Sequence, residues 1–101
     1  MSVKNELSEF EIKLGKCYVY ANKQISFFPD EYHAIYEEIT RGIEDMQCAE
    51  NIKAVMRLRY RHGHRFTDIA DMLGITYQWV YELHKNGVCF LEKLLSVYLT
   101  N

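Results

Sequence analysis

Four arginines lie close together in the middle of the chain and could bind phosphate groups. They are Arg57, Arg59, Arg61 and Arg65. A guanidinium group is planar and permanently charged, and it can bind phosphate oxygens through two parallel hydrogen bonds. A solvated helix face has the same composition, so the run of charge by itself leaves both interpretations open. Phosphate contacts of the first kind would fix the register of a protein on duplex nucleic acid.

A second set of hydrogen-bonding side chains follows the arginines. If a helix begins after a turn at Gly74, its outward-facing residues are Tyr77, Gln78, Tyr81, Glu82 and Lys85. A helix face of this kind can enter the DNA major groove, where Gln78 would read adenine and the tyrosines would touch thymine methyl groups or phosphates. We predict that these five residues read bases. We predict phosphate contacts for Arg57, Arg59, Arg61, Arg65, Thr67 and Thr76.

The element that must position these side chains is a pair of helices joined at Gly74. Ala70 lies four residues before the glycine, and Val80 and Leu83 lie six and nine residues after it. This spacing predicts two short helices that cross through a tight turn. Gly74 can adopt a left-handed conformation that ends the first helix, and Thr76 can cap the second. An ordinary helical hairpin that packs a core is the alternative.

Apolar residues at helical spacing predict three further helices before this pair. The first covers residues 5–22, with Leu7, Leu14 and Cys17 on its inner face, and the second covers residues 30–47, after the only proline. The third is predicted to begin with Asn51 as its cap and to end at His62-Gly63. The chain is therefore predicted to be all-α, with about five helices.

The last helix is predicted to be long, because its apolar stripe continues from Tyr77 to the end of the chain. Gly87 lies inside it, where a glycine costs about 1 kcal/mol relative to alanine. We expect a close crossing with the third or second helix at that point. Residues 1–50 are predicted to form a two-helix extension, and residues 51–101 the domain that contains the turn at Gly74.

The charge is divided unevenly between the two halves of the 101-residue chain. Residues 1–50 carry five Lys or Arg against ten Asp or Glu, a net −5, and residues 51–101 carry seven against four, a net +3. The total of −2 argues against a strong nucleic-acid binder, but the positive half contains the turn. No run of about 18 apolar residues and no signal peptide is present, so we expect a cytoplasmic protein without a membrane span.

Cysteine and histidine do not form a recognisable reactive site in the sequence. The cysteines are widely spaced, at Cys17, Cys48 and Cys89. They form no CxxC pair, so free thiols in a reducing compartment are predicted. His62 and His64 flank Gly63, and with the distant His84 they are interpreted as solvated side chains that could gain charge at lower pH. Without a nucleophile–base pair or a phosphate-binding glycine loop, we predict no enzyme activity, no metal and no cofactor.

Several short segments resemble a known DNA-binding family. The matching pieces are Leu58-Arg59-Tyr60 with Gly63, Phe66 to Ala70, Leu73-Gly74-Ile75-Thr76 and Val80-Tyr81-Glu82-Leu83-His84. Together they resemble the region-four helix-turn-helix of bacterial sigma factors. They are more similar still to small sigma-factor-like transcription activators of phages and prophages, of the ArpU and RinA type. The resemblance covers about residues 52–96.

The resemblance implies an all-helical bacterial cytoplasmic protein that binds double-stranded DNA and regulates transcription, often from a mobile element. In sigma region four the helix after the turn reads promoter DNA, and its first outward residues fall here on Tyr77, Gln78 and Tyr81. The family often has arginine at such positions, so an arginine–guanine pair is not available there. No polymerase-core-binding region precedes the motif, so we expect something smaller than a complete sigma factor.

The aromatic residues of the last helix support a second interpretation. Tyr77, Trp79 and Tyr81 lie within five residues, and tyrosine and tryptophan are favoured at protein interfaces. The alternative function is therefore a protein-interaction module whose partner is RNA polymerase, another regulator or a second copy. For Trp79 the simpler interpretation is core packing against the third helix. Apolar surface on the first helix and over residues 94–99 predicts a homodimer.

Overall fold

The computed structural model describes residues 8–23 and 27–99, with side chains as far as residue 96. Within these residues the chain is all-α with five helices, which confirms the predicted fold class. The helices are α1 (Glu9–Asn22), α2 (Asp30–Asp45), α3 (Glu50–Met56), α4 (Phe66–Leu73) and α5 (Tyr77–Leu99), and a π-helical turn at Arg57–Arg61 continues α3. The predicted start of the first helix and Leu7 lie outside the described residues.

Helix boundaries follow local capping chemistry in most places. Ser8 and Glu11 form a reciprocal capping box at the start of α1, with the amide of Glu11 donating to Ser8 Oγ at 3.1 Å. Helix α2 begins after Pro29, and acidic residues in its first turn face the positive end of the helix dipole. The prediction that Asn51 caps the third helix is wrong, because α3 begins at Glu50 without a side-chain cap.

The helices enclose two adjoining clusters of buried side chains. The first cluster contains Leu14, Cys17, Ile35, Ile39, Ile43, Met46, Met56, Tyr60, Leu91 and Leu95. The second contains Ile52, Val55, Ile69, Ala70, Val80 and Leu83. Helices α3 and α5 contribute to both clusters, so the N-terminal helices pack directly on the elements that carry the turn at Gly74. Side chains from both sides of residue 50 share the first cluster.

Two glycines mark places where helices or loops approach closely. A Cβ atom at Gly87 would lie 2.6 Å from Met56 Cγ, so α5 crosses α3 there and the predicted close crossing is confirmed. Gly63 has φ +73°, and a Cβ atom there would lie 2.5 Å from the backbone nitrogen of Asn22. Asn22 Nδ2 also donates to the Gly63 carbonyl at 2.7 Å. The loop before α4 therefore rests against the end of α1.

Candidate nucleic-acid interface

The turn between α4 and α5 has the local structure predicted for it. Gly74 adopts the left-handed conformation at φ +67°, and the amide of Ile75 donates to the Ala70 carbonyl at 3.1 Å. This bond closes a Schellman-type end to α4. Thr76 Oγ1 accepts from the amide of Trp79 at 3.0 Å and caps α5. Both ends of the turn are therefore fixed by hydrogen bonds.

The first turns of α5 present the predicted side chains to solvent. Val80 and Leu83 point into the second cluster and are almost completely buried. The opposite surface, which we call the outer face, consists of Tyr77, Gln78, Tyr81, Glu82 and Lys85, all of them exposed. Within the described residues none of these side chains has a hydrogen-bond or ion-pair partner. The outer face is therefore available to a ligand.

A series of aromatic contacts orients the tyrosines of the outer face. The Tyr77 and Tyr81 rings are stacked with centroids 6.5 Å apart. Tyr81 also meets the edge of Phe66 from α4 at 6.2 Å. Aromatic pairs in these arrangements contribute about 0.5–1.5 kcal/mol beyond their buried area. The two tyrosines are thus held along one side of the helix.

Arg59, predicted to contact phosphate, is half-buried and packs against two aromatic rings. Its guanidinium carbon lies 3.7 Å from the ring centroid of Tyr18 and 3.9 Å from that of Phe66. Its Nη1 donates to the His64 carbonyl at 3.2 Å, and its Nε is buried without a partner in the described structure. Cation–π contact with both rings, together with the bond to His64, holds this guanidinium group within the protein. Arg59 therefore joins α1 to α4 instead.

Arg57 and Arg61 are directed toward α2 rather than toward the outer face. Arg57 binds Glu44 through two hydrogen bonds, of 2.7 and 2.9 Å, and this interaction holds the pKa of Glu44 below its ordinary value. Arg61 is exposed and lines a groove with Tyr36 and other α2 side chains. The predicted phosphate-contacting set is therefore not one surface, because these two arginines face an acidic helix.

The remaining predicted phosphate contacts lie beside the turn. Arg65 precedes α4, is 73% exposed in its side chain and lies 3.2 Å from Asp68. Thr67 is exposed in the first turn of α4, which has no side-chain cap. Thr76 is exposed at the start of α5, although its hydroxyl is used in capping. Free amide groups at a helix start favour an anion.

His84 departs from its interpretation as a solvated side chain. Its Nε2 lies 2.7 Å from the hydroxyl of Tyr60, and its ring packs against Phe66 at 4.8 Å. Burial, helped by the charge of Arg59, lowers its pKa to about 4, so His84 is neutral at pH 7. A sequence signal existed, because His84 follows Val80 by four residues and adjoins the apolar stripe.

Trp79 is also placed differently from its simpler interpretation. Its side chain is 47% exposed, so it does not pack in the core against α3.

The three cysteines are free thiols, as predicted. Cys17 is buried against the Tyr60 carbonyl, and burial raises its pKa to about 12, while Cys89 is exposed.

Comparison with protein-family models, curated proteins and solved structures found no match for this chain. In the described part of the chain, no three His, Cys, Asp or Glu side chains are grouped as metal ligands would be. None of the described helices is both long and apolar enough to cross a bilayer.

Proposed function

We propose that this protein is a DNA-binding transcription regulator of the bacterial cytoplasm that reads duplex DNA with the first turns of α5. The observation that carries the proposal is the outer face, whose five exposed side chains project from a capped helix directly after a tight turn. Helix-turn-helix proteins enter the major groove with this part of their second helix. The resemblance of residues 52–96 to sigma region four and to phage activators supports the same function.

The expected readout follows from the chemistry of the outer face. Gln78 can pair with the N6 and N7 groups of adenine, and Glu82 can accept from cytosine. Tyr77 and Tyr81 offer aromatic surface to thymine methyl groups, and their mutual stacking fixes where that surface lies. The protein should therefore select its site through these contacts without an arginine–guanine pair.

The electrostatic contribution to binding should be small. Arg65 and Lys85 are the exposed cations that adjoin α4 and the outer face, since Arg57, Arg59 and Arg61 are directed elsewhere. Each phosphate neutralised on duplex DNA contributes about −0.9 to the slope of log affinity against log salt. Two phosphate contacts per copy give a slope of about −2. Contacts from all four arginines together with Lys85 would give about −4.5.

A fluorescence-anisotropy titration with pooled random duplex DNA at low and physiological salt tests the proposal. We expect binding at low salt, enrichment of one sequence after selection, and the shallow slope. Gln78→Ala should relax selectivity at one base pair, whereas Arg65→Ala should weaken binding to every sequence. Arg61→Ala removes the same charge on the α2 side and is the matched control, with no expected change. Absence of binding at low salt would refute the proposal.

A second candidate function is protein interaction, and a specific observation favours it. Tyr77, Trp79 and Tyr81 are each about half exposed, although large aromatic side chains usually lose most of their surface in a monomer. The partner would be RNA polymerase or another regulator. A pull-down against RNA polymerase with the wild type and Trp79→Ala distinguishes the two functions. A stable complex that Trp79→Ala abolishes, together with no DNA binding, would favour this candidate.

A further inference from the structure

We propose that a second copy of this chain docks at the far end of α5 and forms a two-fold symmetric dimer. The contact surface is a groove where the end of α2 meets α5, and we call it the docking groove. It is lined by Asp45, Met46, Gln47, Phe90, Lys93 and Leu94. The surface predicted from sequence involved the first helix and residues 94–99, and it shares Leu94 with the docking groove.

The docking groove has the shape and composition to take an aromatic ring. Met46 forms a buried floor, Leu94 is half-buried, and Phe90 stands at the edge with 45% of its surface exposed. The open volume is about 290 Å³. A cavity of about 150 Å³ lined by apolar side chains binds benzene, so a phenyl ring fits. Phe90 of each copy would fill the docking groove of the other.

Charge favours a second copy as the occupant over an unrelated partner. Asp45 and Lys93 both line the docking groove, and neither belongs to an ion pair among the described residues. In a two-fold contact the same patch meets itself, so Asp45 of one copy faces Lys93 of the other, and the pair occurs twice. One acid and one base beside one apolar groove make a self-complementary surface.

The geometry of α5 relates this contact to the outer face. Phe90 follows Gln78 by 12 residues and Tyr81 by nine, which places it about 120° and 180° from them around the helix, so the dimer contact leaves the outer face uncovered. With antiparallel α5 helices centred near residue 92, residue 80 of each copy lies about 18 Å from the centre, so the two lie about 36 Å apart. One turn of DNA spans about 34–36 Å. This spacing argument rests on the proposed function, whereas the dimer itself does not.

Sedimentation equilibrium of the full chain without DNA tests the dimer. We expect a concentration-dependent monomer–dimer equilibrium. Phe90→Ala should raise the dissociation constant by roughly thirtyfold, as truncation of an interface anchor does. Phe27→Ala is the matched control, because Phe27 is 80% exposed away from the docking groove. Far-UV circular dichroism checks that both variants remain folded. A monomer at all concentrations, or equal effects of the two variants, would overturn the proposal.

A charge exchange gives a second, independent readout. Asp45→Lys and Lys93→Asp should each weaken the dimer, because each places like charges opposite one another. The double variant reverses both charges and should restore the wild-type dissociation constant. Failure of the double variant to recover, with helical content unchanged, would contradict the two-fold arrangement.

DNA binding distinguishes this proposal from the proposed function. Selection with paired half-sites should favour centres about 10–11 base pairs apart for the wild type, and Phe90→Ala should bind single half-sites without that preference. A dimer that binds no DNA would contradict only the proposed function. A chain that binds DNA and remains monomeric would contradict only the dimer.

Discussion

The two halves of α5 have different neighbours and expose different surfaces. Its first half rests on the second cluster through Val80 and Leu83 and leaves the outer face to solvent. Its second half inserts Leu91 and Leu95 among α1, α2 and the π-helical turn. The difference indicates that both halves should contribute to stability through their buried side chains, whereas recognition should depend on the exposed residues of the first half.

The largest expected difference is between the stabilities of two variants, one in each half of α5. Leu91→Ala removes a completely buried side chain and should lower the free energy of unfolding by roughly 2–5 kcal/mol. Gln78→Ala removes an exposed side chain and should change it by less than about 0.5 kcal/mol. Urea unfolding followed by circular dichroism measures both. Similar losses for the two variants would mean that the outer face of the first half contributes to stability as much as the buried side of the second half does.

His84 lies near the junction between the halves and should make the stability of the fold sensitive to acid. Its pKa is lowered to about 4 from an ordinary 6.5, so the unfolded chain binds the proton more readily. The free energy of unfolding is therefore unaffected by His84 above pH 6.5. It falls by roughly 3 kcal/mol as the pH falls toward 4, because the unfolded chain takes up the proton first.

Unfolding free energies of the wild type and His84→Gln should be compared across this range. Glutamine can keep a hydrogen bond to Tyr60 but takes up no proton, so the difference between the two proteins isolates His84. This comparison removes the contribution of Glu44, whose lowered pKa also weakens the fold in acid. Parallel pH profiles for the two proteins would exclude a role for His84.

Gly87 lies where α5 passes from one cluster to the other, and alanine there should be destabilising. The new Cβ would lie 2.6 Å from Met56, which is fully buried, and overpacking of this kind costs about 1–3 kcal/mol. Better helix propensity offsets about 1 kcal/mol of that cost. Gly15→Ala is the control, since no atom lies within 4 Å of its Cβ position. It should stabilise by roughly 0.5–1 kcal/mol in the same urea experiment.

Two helix caps of similar strength should differ only in their effect on DNA binding, and this difference is expected to be the smallest. Thr76→Ala and Ser8→Ala should each cost about 1 kcal/mol, because each removes a side-chain acceptor at a helix start. Only the first loosens the outer face, so only Thr76→Ala should also weaken DNA binding in the anisotropy assay. Equal DNA affinities for the two variants would mean that the Thr76 cap of α5 does not contribute to DNA binding.

Features set by neighbours in the sequence could be predicted, and they include much of the candidate site. Gly74, Thr76 and the apolar residues around them act within a few positions of one another, so α4 ends before Gly74 and α5 begins at Tyr77, as predicted. Exposure of the outer face follows from the same helical period. These inferences need no knowledge of how distant helices pack.

The partners of the arginines could not be predicted, because they depend on tertiary contacts. Arg59 contacts Tyr18 from a distance of 41 residues in sequence, and Arg57 binds Glu44 on the preceding helix. In the sequence the four arginines are equivalent cations, but in the structure two lie against α2 and one is held by the rings of Tyr18 and Phe66. The π-helical turn, which carries three of these arginines, also has no distinct pattern in the sequence.

Gly63 restricts how this chain could diverge. Its would-be Cβ meets backbone atoms of Ala21 and Asn22, at 2.5–2.7 Å, and every amino acid has those atoms. A compensating change at either neighbour therefore cannot make room, in contrast to Gly87, whose obstruction is the Met56 side chain. A selection experiment on paired positions should recover partners for substitutions at residue 87 and none at residue 63.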